Sequence, residues 1–177
     1  MDRAAANGYL EVVEWLHANR SEGCSVEAMD DAARSGHLAV VKWLHANRCE
    51  GCTVEAMDLA AGAGHLNVIQ WLHLNRPEGC TIRAMDTAAG NGHLKLVKWL
   101  HFNRDEGCTK TAMDCAAGNG HFDVVLFLHK HRQKGCTSRA IIESTWSNYS
   151  EFLPWFQQHY PTQFSVARRA FPQDLDA

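Results

Sequence analysis

The chain reads as an all-α solenoid of stacked helix–turn–helix units, and three observations carry that reading. The phrase Ala-Met-Asp recurs at Ala28-Met29-Asp30, Ala56-Met57-Asp58, Ala84-Met85-Asp86 and Ala112-Met113-Asp114, always 28 residues apart. A Gly-His pair follows each copy, at Gly36-His37, Gly64-His65, Gly92-His93 and Gly120-His121. Each full unit also carries its own helix start and stop signals. A constant period in the range of about 20–50 residues marks an array whose units bury their apolar faces only against their neighbours.

The unit from Thr53 to Cys80 shows how each element arises. Thr53 suits a helix N-cap, and Glu55 places a negative charge in the first turn, where the helix dipole favours it. Ala56, Met57, Ala60 and Ala61 share one helical face, and the alanines let a neighbouring helix approach closely. Gly64 supplies the left-handed residue that ends this helix, and His65 begins the reversal. The second helix carries Leu66, Val68, Ile69, Trp71 and Leu72, an apolar surface wider than one stripe, as a helix sandwiched between neighbours requires. Gly79 is expected to end it, and Thr81 caps the next unit. No strand is needed.

In register, units start near Met1, Ser25, Thr53, Thr81 and Thr109, with a degenerate capping unit from Thr137. That last unit keeps Ala140, Trp155 and Phe156 in place but has Asn148-Tyr149 where Gly-His stands elsewhere. One array is therefore expected over residues 1–160, with a tail or cap over 161–177. The aromatic run from Trp146 to Phe171 is expected to fold over the last apolar face; the alternative is a docking motif for a partner. Met1-Asp2 aligns with Met29-Asp30, so the chain opens inside a helix and is expected to be a piece of a longer protein, which leaves secretion open.

Composition narrows the functional classes. Across 177 residues, 46% hydrophobic and 21% charged content suits a folded domain. A formal net charge of -3 gives no general attraction to nucleic acid or anionic membranes, and neither is expected as a partner. No apolar run approaches the roughly 20 residues of a membrane span. Cys24, Cys52, Cys80, Cys108 and Cys136 occupy one slot in successive units. Stacked helices lie about 8–10 Å apart, whereas a disulfide needs Cα atoms within about 7 Å. Free thiols packed as small hydrophobes are expected, which favours a reducing, cytoplasmic compartment.

The pattern Ala-Ala-x-x-Gly-His-Leu-x-Val-Val, followed by a hydrophobic pair and a glycine, resembles the ankyrin repeat. In that family the signature reads Thr-Pro-Leu-His-x-Ala-Ala-x-x-Gly-His. Here Met57 takes the leucine place and Asp58 the histidine place. The wording Trp-Leu-His-x-Asn-Arg-x-Glu-Gly-Cys is also similar to short ankyrin-like repeats abundant in oomycete proteins. The resemblance implies a rigid scaffold that binds another protein and needs no cofactor. Ankyrin repeats are typically about 33 residues long; the shortfall here lies between Leu72 and Ala84, where the family forms a β-hairpin finger. The short link leaves no room for a full finger, so the exposed face of the first helices becomes the expected binding surface.

The chain can be aligned with itself to map that surface. The slots that vary on the first helix are the third, seventh, tenth and eleventh of each unit, and their spacing puts them on one face. They hold Glu27, Asp31, Arg34 and Ser35; Glu55, Leu59, Gly62 and Ala63; Arg83, Thr87, Gly90 and Asn91; Thr111, Cys115, Gly118 and Asn119. Charge drifts along them from acidic to basic or neutral, and the glycines are expected to leave a smooth patch around Leu59.

Invariant polar residues point away from catalysis. His45, His73 and His101, Arg48, Arg76 and Arg104, and Asp58, Asp86 and Asp114 recur in every unit, whereas an enzyme assembles one site. They read as structural ladders, with Asp58 expected to meet Arg76 or Arg48. Cys49-Glu50-Gly51-Cys52 is the sole Cys-x-x-Cys, and a structural zinc site needs a second such pair, so no metal is expected. No phosphate loop or nucleophile elbow is present. The expected function is a monomeric, non-enzymatic protein-interaction module. The alternatives are a substrate-recognition part of a larger ligase or kinase and a secreted host-targeting effector.

Overall fold

The computed structural model describes residues 1–172. The chain divides into two compact units, Met1–Ala84 and Met85–Ala177. In the first, short helices α1 (Asp2–Ala6), α3 (Glu27–Arg34) and α5 (Val54–Gly62) alternate with ten-residue helices α2 (Leu10–Asn19), α4 (Leu38–Asn47) and α6 (Leu66–Asn75). Helix α7 (Ile82–Gly90) begins in the first unit and ends in the second, which continues with α8 (Leu94–Asn103), α9 (Lys110–Gly118), α10 (Phe122–His131) and α11 (Ser138–Trp146). A 3-10 turn at Ser150–Phe152 leads to α12 (Leu153–His159) and α13 (Pro161–Ala170). The described residues are helices and connections only, with no strand among them.

Successive first helices stack on one another: α3 packs on α1 and α5, and α11 on α9 and α13. Alanine makes this possible. Ala28, Ala32, Ala33, Ala56, Ala60 and Ala61 are all buried, with Met29 and Met57 filling the space between layers. The second helices bury Val40, Val41 and Leu44, then Val68, Ile69 and Leu72. The tryptophans of these helices are less deep. Trp71 and Trp43 are half-buried and Trp15 is exposed, so the branched aliphatics, rather than a fully buried Trp71, form the centre of the second-helix layer.

Two ladders lock one repeat to the next. The aspartate of Ala-Met-Asp does not meet an arginine, as the sequence suggests; it caps the following repeat. Asp30 accepts the Thr53 N–H at 2.9 Å and its hydroxyl at 2.7 Å. Asp58 does the same for Thr81, Asp86 for Thr109, Asp114 for Thr137 and Asp2 for Ser25. The threonine hydroxyl then accepts the N–H two residues on, such as Glu55 from Thr53 at 3.1 Å. A side chain thus fixes each N-cap to the preceding helix.

The second ladder is steric. Gly36 lies at φ +78°, and the space a Cβ would occupy there is taken by the His65 ring, 2.6 Å away. The same overlap recurs between Gly8 and His37 and between Gly92 and His121. The sixth repeat keeps this turn with different residues. Asn148 adopts the left-handed conformation at φ 65°, and Tyr149 lies over Gly120 as the histidines lie over the other glycines. Asparagine is among the few residues that tolerate that backbone.

The second helices stop earlier than the glycine signal implies. α6 ends at Asn75, whose side-chain amide donates to the Trp71 carbonyl at 2.8 Å. Arg76 is extended and grips Glu78, leaving Gly79, at φ +71°, inside the link rather than at the helix end. Arg48 and Glu50, and Arg104 and Glu106, repeat this clamp.

At the C-terminal end, Phe152, Phe156 and Phe164 are buried and the Phe122 ring stacks on Phe152 at 4.3 Å. Within 161–177 the described part is helix α13 and its end; residues 173–177 lie outside the described residues. Cys52, Cys80, Cys108 and Cys136 are buried free thiols, Cys24 and Cys115 are half-buried, and Cys49 is exposed. Burial pushes the Cys52 thiol up to about 11 and Cys136 up to about 12.

Candidate interaction surface

The first helices bury their Ala-Met-Asp and Ala-Ala positions, and this turns the variable slots outward. In the first unit, Glu27, Arg34, Ser35 and Ala63 are exposed and Asp31, Glu55, Leu59 and Gly62 half-buried. Arg34 pairs with Asp31 one turn away at 3.4 Å. Arg83, exposed, reaches back to Glu55 of the preceding repeat at 2.5 Å. Leu59 is the apolar member of this surface.

In the second unit, Thr87, Asn91, Thr111 and Asn119 are exposed and Cys115 is half-buried, with burial pushing its thiol up. Gly90 and Gly118 are buried, so they do not form the smooth exposed patch expected of them. Their lack of a side chain serves packing: a Cβ on Gly90 would meet Cys115 Cβ at 3.0 Å, and one on Gly118 would meet the Glu143 side chain at 2.8 Å. The next first helix can therefore come close, and Asn119 donates to the Gly90 carbonyl at 2.7 Å.

Between α9 and α11 this close approach leaves an open groove of about 380 Å³, lined by Cys115, Gly118, Asn119, Arg139, Glu143, Trp146 and Ser147. Each of the seven occupies a variable slot. Cys115, Gly118 and Asn119 are the seventh, tenth and eleventh residues of their repeat. Arg139, Glu143, Trp146 and Ser147 are the third, seventh, tenth and eleventh of the next. Arg139 Nε donates to Glu143 Oε1 at 2.6 Å, so one wall is a polar pair. The other feature is Trp146, 61% exposed and set edge-on to Phe171 at 5.1 Å. The groove thus offers an indole face, a carboxylate, a guanidinium and an amide within one concavity. Among the described residues no group of three or more His, Cys, Asp or Glu side chains converges to hold a metal.

The sequence places Cys115, Gly118 and Asn119 in variable slots and raises Trp146 only as the start of the aromatic run, but does not single out Arg139, Glu143 and Ser147. The signal was available, because the same four slots counted from Thr137 give those residues. Treating the sixth repeat as a cap hid them.

The ankyrin repeat family, described as ankyrin repeats in many copies, matches residues 1–45, 29–73, 57–101 and 85–129. These overlapping segments cover most of the chain and keep its 28-residue step. The chain belongs to the ankyrin repeat family. No curated protein matches it. Ankyrin repeats are in general protein–protein interaction modules, and the family is typically non-enzymatic. The helical stacking, the Gly-His turn and the Ala-Ala face described above are this chain's form of the repeat. No helix among the described residues is long and apolar enough to cross a membrane.

Proposed function

We propose that this ankyrin-repeat chain binds a partner protein through the variable face of its first helices, with the groove between α9 and α11 as the principal contact in the second unit. The supporting observation is that all seven groove-lining residues fall in slots that differ from repeat to repeat. Positions that carry the scaffold are nearly the same in every copy; apart from Gly118, which also spaces the helices, the groove is built from positions that differ. An exposed tryptophan beside an arginine suits such a contact, since these residue types dominate the energetics of protein interfaces. The stacked scaffold needs little ordering on binding, which favours affinity. In the first unit Glu27, Asp31, Arg34, Glu55, Leu59 and Arg83 form the variable face, and in the second Thr87, Asn91 and Thr111 occupy the same slots as the groove residues.

The test is affinity capture from a cell extract with the intact chain and two folded variants, Leu59→Glu/Arg83→Glu and Arg139→Ala/Trp146→Ala. The expected result is a stoichiometric partner retained by the intact chain and lost by the groove variant. Equal capture by all three, with folding verified by circular dichroism, would refute the assignment.

A further inference from the structure

The groove between α9 and α11 holds one arginine and one glutamate, and the way they pair leaves the arginine the more open of the two. Arg139 donates from Nε to Glu143 Oε1 at 2.6 Å. The second carboxylate oxygen, Oε2, lies 2.8 Å from where a Cβ on Gly118 would stand, so the acid is laid against the α9 wall. The Arg139 side chain is 61% exposed and that of Glu143 29%. Among the described residues neither makes a further hydrogen bond. The terminal nitrogens of the guanidinium, Nη1 and Nη2, therefore have no acceptor within the protein.

The exposed arginines of the first unit are spent differently. Arg34 turns Nη1 to Asp31 at 3.4 Å, and Arg83 turns Nη1 to Glu55 at 2.5 Å. In both, a terminal nitrogen is given to an acid of the protein. At Arg139 the bond comes from Nε instead, and the terminal pair is kept for another carboxylate. Two such nitrogens match a carboxylate in a two-bond fork.

Charge around the groove runs the same way. Glu143 is the only carboxylate among the lining residues, and Cys115, Asn119 and Ser147 bring no charge. Asp114 of α9 is buried, where it accepts from Thr137. At the far end the Phe171 ring stands edge-on to Trp146, and the turn of α13 before it carries Arg168 and Arg169, both exposed.

We propose that the partner segment received by this groove is acidic. An aspartate or glutamate side chain takes the Nη1 and Nη2 edge of Arg139, and an apolar side chain next to it lies on the exposed Trp146 indole. The proposal rests on the reading of the groove as a partner contact and adds the chemistry of what enters it. A basic segment would bring like charge to Arg139, and its one counter-charge, Glu143, is already neutralised by that arginine. Such complementarity selects between partners more than it adds raw affinity.

The experiment follows the Arg139 Nε–H and Trp146 indole N–H signals by NMR. The native chain is titrated with acetyl-Leu-Glu-Leu-amide and with its Leu-Gln-Leu and Leu-Lys-Leu counterparts. The glutamate peptide is expected to shift both signals saturably and to bind about tenfold more tightly than the glutamine peptide, as a charge-assisted contact implies. The lysine peptide is expected to bind more weakly than either. Arg139→Gln, at an exposed position and with folding verified by circular dichroism, should reduce the glutamate peptide to the level of the glutamine one. Equal or tighter binding of the glutamine or lysine peptide, or undiminished binding of the glutamate peptide to Arg139→Gln, would overturn the acidic assignment and leave the groove as a contact. If no peptide moves either signal the assignment also falls, and the capture experiment with Arg139→Ala/Trp146→Ala decides separately whether the groove binds a partner.

Discussion

The Asp58 carboxylate takes both the backbone N–H of Thr81, at 2.8 Å, and its hydroxyl, at 2.6 Å, across 23 residues of chain. One short acid therefore performs two tasks: it completes the N-cap of the next first helix and ties neighbouring repeats together. Asp58→Ala strands both threonine donors. The expected loss is about 2 kcal/mol, with Thr81→Val costing about 1–2 kcal/mol, because it removes both the hydroxyl bond to Asp58 and the N-cap acceptor of the Arg83 N–H. Urea denaturation of the two variants measures both, and the double variant should cost less than the sum because the residues share a contact.

Depth rather than side-chain size decides the response of the second helices. Leu72 is 1% exposed, and Leu72→Ala should cost about 2–5 kcal/mol through lost burial and a residual cavity. Trp71, half-buried and edge-on to His45 at 5.1 Å, should be the milder site when truncated. Comparing the two thermal midpoints checks this order.

At the turns, backbone and neighbour act together. Gly36→Ala imposes a left-handed alanine, at about 1–2 kcal/mol, and also drives a methyl into the His65 ring. Asn148→Gly should be neutral or stabilising, because glycine adopts the same backbone without a Cβ penalty. Chemical denaturation should show Gly36→Ala destabilised and Asn148→Gly not.

The link clamps make stability dependent on acid. The hydrogen bond from Arg48 holds the Glu50 carboxyl down at about 2, against an ordinary value of 4.5. The unfolded chain therefore binds the proton first, so the clamp's contribution is complete above pH 4.5 and is lost as pH falls towards 2. The pair is partly exposed, with about a quarter or less of each side chain in solvent, and its worth is at most about 1 kcal/mol. Glu50→Gln should lower stability by up to that amount above pH 5 and flatten the stability–pH curve below it, so that the two proteins converge as pH approaches 2.

Thiol chemistry should sort the cysteines by position. Cys49 is exposed, whereas Cys52, three residues on, is buried with its thiol raised to about 11. Brief alkylation of the folded protein at pH 8 should modify Cys49 and spare Cys52, Cys108 and Cys136. Mass spectrometry of the peptides, before and after denaturation, tests this directly.

The reasons for success and failure in the sequence reading are physical. Helix starts at Thr53, Thr109 and Thr137, the left-handed glycines and the Ala-Ala face were legible because each depends on residues within one repeat. The variable slots were legible because helical periodicity alone sets which side chains share a face. The partner of Asp58 was not: charge complementarity pointed to arginine, while the register between repeats placed a threonine N-cap there. Arg76 was already committed to Glu78, two residues away, and that local clamp also ended α6 before Gly79.

By itself the sequence determined the repeat, its period, its helical character and its membership of the ankyrin family, since all of these follow from local signals copied every 28 residues. Only the tertiary structure decided what the copies do to one another. It turned Gly90 and Gly118 from surface into spacers and drew Arg139, Glu143 and Trp146 into one groove with Cys115 and Asn119. Those outcomes depend on which atoms of one repeat meet the next, and stacking geometry, not periodicity, sets that.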